Sequence, residues 1–148
     1  MTDVSIGPAQ RDELPQVLEL LEEGGLPPDG LEERLPTILV ARLEGRIVGS
    51  AAVELYGSAA LLRSVAVRWD LRGTGLGRRL TESAVQISRE LGAEEAYLLT
   101  ETADLFFPRF GFKPIPRSEV PASVRRSVEF TSACPASARV MMLALRAL

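Results

Sequence analysis

Apolar positions change their spacing several times along the chain, and each change marks an element. Leu14, Val17, Leu18 and Leu21 recur three and four residues apart, which predicts a helix over residues 12–21 with Pro15 in its first turn. Before it, residues 4–7 read as an opening strand; after it, Gly24-Gly25 ends the helix and Pro27-Pro28-Asp29 opens a second, short one through about Leu35. Residues 37–43 and 46–56 are apolar and strand-like around Glu44-Gly45, a hairpin signal, and Gly57-Ser58 turns the chain into a third strand ending at Val67. Helical spacing returns with Leu76, Leu80, Ala84, Ile87 and Leu91, closed by the cap Leu91-Gly92. Residues 96–100 then read as a buried strand, followed by a short helix through Phe107 and two strands over residues 111–115 and 140–145. This order predicts an α+β fold, with a single mixed, mostly antiparallel central sheet flanked by helices. Residues 1–148 are expected to form one domain.

Composition narrows the function classes. The chain has 148 residues, enough for one core and too few for two, with 46% hydrophobic and 25% charged residues, as in a soluble globular protein. No apolar run approaches the ~20 residues of a membrane span, and the first residues carry no signal-peptide pattern, so the expected compartment is the cytoplasm, with no membrane partner. A net charge of -3 with few aromatics argues against nucleic acid. With no histidine, a His-based triad and a His-ligated metal are excluded, and the lone Cys134 leaves neither an internal disulfide nor a zinc site. No metal is expected.

The most informative stretch is Arg72-Gly73-Thr74-Gly75-Leu76-Gly77, between the strand ending Val65-Ala66-Val67 and the long helix. Glycines at such a turn let backbone N–H groups converge on a ligand with no Cβ in the way. The helix start adds unpaired donors and the positive end of its dipole, and Arg78 and Arg79 add charge. The turn reads as an anion cradle. It lacks the Lys-Ser/Thr ending of a P-loop and the spacing of a dinucleotide fingerprint.

Arg-x-x-Gly-x-Gly after a strand ending Val-Ala-Val resembles the coenzyme A pyrophosphate loop of the Gcn5-related N-acetyltransferase (GNAT) family. A second segment, residues 100–112, resembles that family's Asn-x-x-Ala-x-x-Phe-Tyr-x-x-x-Gly-Phe. A closer resemblance is to the arsenic-resistance N-acetyltransferases and to the catalytic domain of bacterial N-acetylglutamate synthases. It rests on Leu62-Arg63-Ser64-Val65-Ala66-Val67, on residues 106–112 and on the tail over residues 120–125 and 129–135. The resemblance implies acetyl-CoA as donor, a small-molecule amine acceptor with an amino-acid head group, and a sheet in which the strand ending Val65-Ala66-Val67 splays from the strand ending Leu99-Thr100 to hold the pantetheine. It leaves a homodimer open. It also implies coenzyme contacts at Val65, Ala66, Val67, Arg72, Gly73, Thr74, Gly75, Leu76, Gly77, Arg78, Thr100 and Phe107, with a backbone N–H near Val65 or Ala66 polarising the thioester carbonyl. Two positions depart from the pattern: the family's tyrosine, which protonates the thiolate, becomes Phe107, and its asparagine becomes Thr100. Water, the ammonium proton, Tyr56, Tyr97 or Ser64 would then serve the thiolate.

For the base, Glu54 and Glu101 are the acidic residues nearest the expected cleft, and a plain surface carboxylate is the alternative for each. Arg63 interrupts an apolar strand two positions before Val65, hence on the same face by strand alternation. A buried guanidinium needs a partner, an acceptor's carboxylate or an internal glutamate such as Glu54, unless it reaches solvent at a sheet edge. Thr131, Ser132 and Arg139 would complete an acidic-substrate pocket, while Cys134 reads as a structural thiol. A binding or sensing module that keeps the cradle without turnover, and a protein acetyltransferase, are the competing readings.

Overall fold

The computed structural model describes residues 4–101, 103, 105–133 and 137–145. Among them seven strands form one mixed sheet: β1 (Ser5–Pro8), β2 (Ile38–Leu43), β3 (Arg46–Tyr56), β4 (Ala59–Val67), β5 (Glu95–Thr100), β6 (Lys113–Ile115) and β7 (Arg139–Ala144). Their order is β1-β2-β3-β4-β5-β7-β6. The β1/β2, β2/β3, β5/β7 and β6/β7 pairs are antiparallel, and β4/β5 is parallel. A parallel pair needs a long crossover, which the helix α2 (Leu76–Glu90) supplies. Helices α1 (Leu14–Glu23) and α3 (Ala122–Arg125) complete the frame. The expected α+β mixed sheet is the one observed. The chain falls into two compact units, Met1–Val53 with Ser64–Ala84, and Glu54–Arg63 with Val85–Leu148.

In the first unit, α1 buries Leu14, Val17 and Leu21 against Ile38 and Val40 of β2 and Ile47 and Ala52 of β3. Pro15 sits in the first turn, where its missing N–H costs no bond. The helix is preceded by a 3-10 turn, Arg11–Glu13, closed by a reciprocal capping box between Gln10 and Glu13. The second expected helix is a 3-10 helix over Leu31–Thr37. Glu44 and Gly45 have φ of 52° and 79°, the left-handed pair that a two-residue hairpin turn needs to match strand twist. The β2/β3 register shifts between Ala41 and Arg42, leaving Val48 as the extra residue of a bulge. Its carbonyl instead accepts the Arg68 N–H at 2.8 Å. Gly49 lies next to that bulge: a Cβ there would stand 2.7 Å from Leu80 Cδ1 and 3.3 Å from the Ala66 carbonyl. The missing side chain is what lets α2 approach β3 so closely.

In the second unit, β5 pairs with β4 from Ala59↔Glu95 to Leu61↔Tyr97, and with β7 along its whole length. Ala59, Leu61, Tyr97 and Val140 form the core with Val120 and Val124 from the tail. That tail is more structured than its sequence pattern implies. It holds a 3-10 turn at Arg117–Glu119, then α3, then a π turn at Glu129–Ala133. Arg117 fastens it by lying 5.7 Å over the Phe130 ring and donating to the Ala138 carbonyl at 3.1 Å. The expected short helix through Phe107 is instead a 3-10 turn beginning there, Phe107–Phe110, with residues 102 and 104 outside the described set. Pro108 explains the shift: it is unfavourable at a helix end and well suited to a start. Gly111, at φ 99°, caps that turn, so β6 begins at Lys113 and not at residue 111.

Candidate functional site

The glycine turn is built by a short, well-bonded approach. After Arg68, a 3-10 turn (Trp69–Leu71) carries the chain to Arg72, with Leu71 N donating to Arg68 O at 2.9 Å. Thr74 Oγ1 donates to Leu71 O at 2.5 Å, tying the turn to its own base. Gly73 and Gly75 have φ of 81° and 89°, and a Cβ on either would meet no atom within 4 Å. The space over the turn is open to a ligand. The Gly75 carbonyl accepts Arg79 N at 3.1 Å, the first bond of α2, so the N–H groups of Leu76, Gly77 and Arg78 have no acceptor within the helix. The dipole of α2 places partial positive charge at this same end. Leu76 turns its side chain into the core, which leaves its N–H as the part a ligand can meet. Arg72 and Arg78 are exposed; Arg78 lies 3.9 Å from Glu82, and Arg79 donates to the Val4 carbonyl at 3.2 Å.

Upstream, Ser64 departs from strand geometry. Its φ is 58°, a left-handed conformation that costs a non-glycine residue about 1–2 kcal/mol. Ser50 Oγ holds it by donating to the Ser64 carbonyl at 2.7 Å. Strain retained in this way points to a functional segment. The strict alternation expected to put Arg63 and Val65 on one face does not extend through a residue in this conformation. Val65, Ala66 and Val67 beyond it are half-buried.

Glu54 and Arg63 meet in a buried cluster of the second unit. Arg63 Nη1 donates to Glu54 Oε2 at 3.0 Å, and Arg63 Nε lies 3.7 Å from Glu129 Oε2. The other oxygen, Glu54 Oε1, accepts from Ser127 Oγ at 2.5 Å and from the Tyr56 hydroxyl. Glu54 is 1% exposed and Arg63 3%. Burial pushes the Glu54 pKa up, but the hydrogen bonds from Ser127, Tyr56 and Arg63, with the Arg63 charge, outweigh it and leave the carboxyl below its ordinary value. Glu54 is therefore held as an anion. Of the alternatives for Arg63, the internal glutamate is present, and its burial rules out reaching solvent at a sheet edge. Sequence pattern singled out Glu54, Arg63 and Tyr56 but not Ser127 or Glu129, which lie in a tail without periodicity.

Of the remaining candidates, Thr100 lies opposite Arg139 in the β5/β7 ladder. Thr100 is buried and its Oγ1 accepts from Ala103 N at 2.9 Å. Phe107 is a core aromatic, edge-on to Phe106 and Phe112 at 5.1 and 6.0 Å between centroids. Burial, with Glu95 beside it, pushes the Tyr97 hydroxyl up to about 12. Glu101, Thr131 and Arg139 are exposed, Ser132 belongs to the same π turn as Thr131, and Cys134 lies outside the described residues. An open depression lined by Gln10, Asp12, Gln16 and the Arg42–Glu13 pair contains none of the expected site residues.

The model of the acetyltransferase (GNAT) domain family matches residues 34–114. An uncharacterized N-acetyltransferase of Chlorobaculum tepidum is 32% identical over 99 residues, 66% of this chain and 63% of that protein. An amino-acid acetyltransferase of Mycobacterium tuberculosis is 32% identical over 83 residues, 55% of this chain and 47% of that protein. The chain thus spans about half to two thirds of the length of these relatives. Among solved structures, N-acetylglutamate synthase from Neisseria gonorrhoeae, complexed with coenzyme A and N-acetyl-glutamate, superposes with a TM-score of 0.84 at 20% identity, covering 99% of this chain and 36% of that one. Among the described residues, no helix is long and apolar enough to cross a membrane.

Proposed function

The chain belongs to the GNAT acetyltransferase family, and from that membership we propose that it moves an acetyl group from acetyl-CoA to the amine of a small, amino-acid-like acceptor. The observation that carries the reading is the open glycine turn at the start of α2, where left-handed Gly73 and Gly75 leave room above three N–H groups without helical acceptors. A pyrophosphate fits that chemistry: it is doubly anionic, and such donors and a helix dipole favour it. Arg72 and Arg78 add charge from solvent, and Val65, Ala66 and Val67, beyond the strained Ser64, offer backbone groups to the pantetheine and thioester. The amino-acid acceptor is supported by the relative named an amino-acid acetyltransferase and by the neighbour solved with N-acetyl-glutamate.

In the reaction the neutral amine attacks the thioester carbonyl; a C–N bond forms, the C–S bond breaks, and the amine gives up one proton while the thiolate gains one. A backbone N–H after Ser64 stabilises the oxyanion. Glu54 is a poor base, since its pKa is lowered and its oxygens already accept three donors, so exposed Glu101 is the better carboxylate to receive the proton. Phe107 has no proton to give; with the Tyr56 hydroxyl donated to Glu54 and the Tyr97 hydroxyl held above its ordinary pKa, water, the departing ammonium proton or Ser64 serves the thiolate. Arg139 and Thr131, exposed in the tail, take the acceptor's carboxylate, whereas Arg63 is engaged by Glu54 and holds the tail through Glu129. Amino acids bearing arsenic or phosphorus form a narrower acceptor class, on the likeness of the tail to arsenic-resistance enzymes.

A second reading, a coenzyme-sensing module, is favoured only by Phe107, which stands where the family's tyrosine donor stands. One experiment separates the two. The protein is given acetyl-CoA with each amino acid and with phosphinic and arsinic analogues, and free thiol and acetylated product are measured. Matched thiol and N-acetyl product from at least one acceptor supports the enzyme; binding of acetyl-CoA with no product from any acceptor supports the sensor.

A further inference from the structure

Trp69 is the only tryptophan of the chain, and it is 74% exposed. The ring offers a broad flat apolar face at the surface, with one N–H as its only polar group. The two residues flanking it are clasped together: Arg68 Nε and Nη2 reach Asp70 Oδ1 and Oδ2 at 2.6 and 3.0 Å. The backbone beneath is closed as well, through Leu71 N to Arg68 O and Arg68 N to the bulge carbonyl of Val48. The ring is thus presented on a hydrogen-bonded turn whose two flanking charges pair with each other. Four residues further on, within about 14 Å even if the chain were straight, is Gly73 of the anion turn.

From this placement we infer that Trp69 is the platform on which the adenine of the coenzyme stacks. The inference rests on the acetyl-CoA reading and deepens it. In coenzyme A the adenine is one ribose away from the pyrophosphate, so a flat base is carried to whatever borders the phosphate cradle. A base offers a π face against which an exposed indole stacks without a particular hydrogen-bond partner. The clasped Arg68–Asp70 pair means that the ring needs little ordering on binding.

The test compares the parent with Trp69→Ala and Trp69→Phe, using acetyl-CoA and acetyl-4′-phosphopantetheine, which lacks the adenosine part, in calorimetric titrations. Trp69→Ala is expected to weaken acetyl-CoA about tenfold and to leave acetyl-4′-phosphopantetheine unchanged, with Trp69→Phe between parent and Trp69→Ala. In the parent, acetyl-CoA and adenosine 3′,5′-bisphosphate should change the emission of this sole tryptophan, and acetyl-4′-phosphopantetheine should not. Equal weakening of both ligands, or of neither, overturns the inference while leaving the coenzyme cradle standing. A change of oligomeric state in Trp69→Ala without a change in ligand preference overturns it too and makes the ring a protein contact. A parent that binds no acetyl-CoA removes the cradle and the stacking together.

Discussion

Arg63 and Glu54, nine residues apart along the β3–β4 hairpin, form an ion pair of 3.0 Å with both side chains out of water, and Ser127 of the tail closes on the same carboxylate. A buried pair gives little net stability against a well-packed apolar replacement, but removing one partner strands the other charge. The cluster therefore sets the arrangement of the tail more than it stabilises the unit.

Glu54→Gln should lower stability at pH 7 by about 3 kcal/mol, the lower end for a broken buried pair, because Glu129 stays 3.7 Å from Arg63. The Glu54 pKa is depressed in the fold, so its contribution is complete above the unfolded value of about 4.3 and is lost as pH falls through the folded value. Urea unfolding of both proteins from pH 7 to pH 3 should show the difference shrinking only below about pH 4. A difference independent of pH would mean that the charge of Glu54 is not what matters.

Gly49→Ala should cost about 1–3 kcal/mol, because its Cβ must displace Leu80 and crowd the Ala66 carbonyl. Thermal unfolding checks this. Unchanged stability would show that α2 can lift away from β3 without cost.

Gly75→Val should weaken acetyl-CoA at least tenfold, with Gly92→Val as the control. Both glycines have φ near 90° with open space around a Cβ, so each substitution brings similar backbone strain, about 1–2 kcal/mol. Only Gly75 lies in the anion turn. If calorimetry gave equal affinities for the two variants, the turn would be an ordinary loop.

Amidating the carboxylate of the best amino-acid acceptor should reduce kcat/KM of the parent by ten- to a hundredfold, as expected for one charged hydrogen bond of about 1.5–3 kcal/mol. The penalty should shrink in Arg139→Met, whose position is exposed. If it shrinks instead in a folded Arg63→Met, the buried arginine takes the carboxylate after all.

Phe107→Tyr should leave kcat within a fewfold of the parent, because another proton source already serves the thiolate. Steady-state rates read this. An inactive parent revived by tyrosine would favour the sensing module.

What the sequence made legible follows physical range. The helices with a clear apolar stripe and the hairpins with glycine turns stand close to where pattern puts them, because their signals are local: Leu14, Val17 and Leu21 announce α1, and Glu44-Gly45 announces its turn. The glycine turn was equally plain. The tail was not, since Ser127, Glu129 and Arg117 act through partners far along the chain, with Ser127 and Glu54 separated by 73 residues. Nor could spacing foresee Ser64: a serine in a left-handed conformation inside a strand depends on Ser50, not on its own neighbours.

The position of β7 also fixes an order of assembly. It lies between β5 and β6, yet residues 139–144 are made after both. Until they emerge from the ribosome, β6 has no neighbour and one edge of β5 is an open row of peptide groups, the kind of edge that invites pairing with another chain. Closure of this part of the sheet must therefore wait until residues 139–144 have been made, and it proceeds through contacts distant along the chain, which are slow to form. Whatever delays or removes β7 exposes β5 and β6.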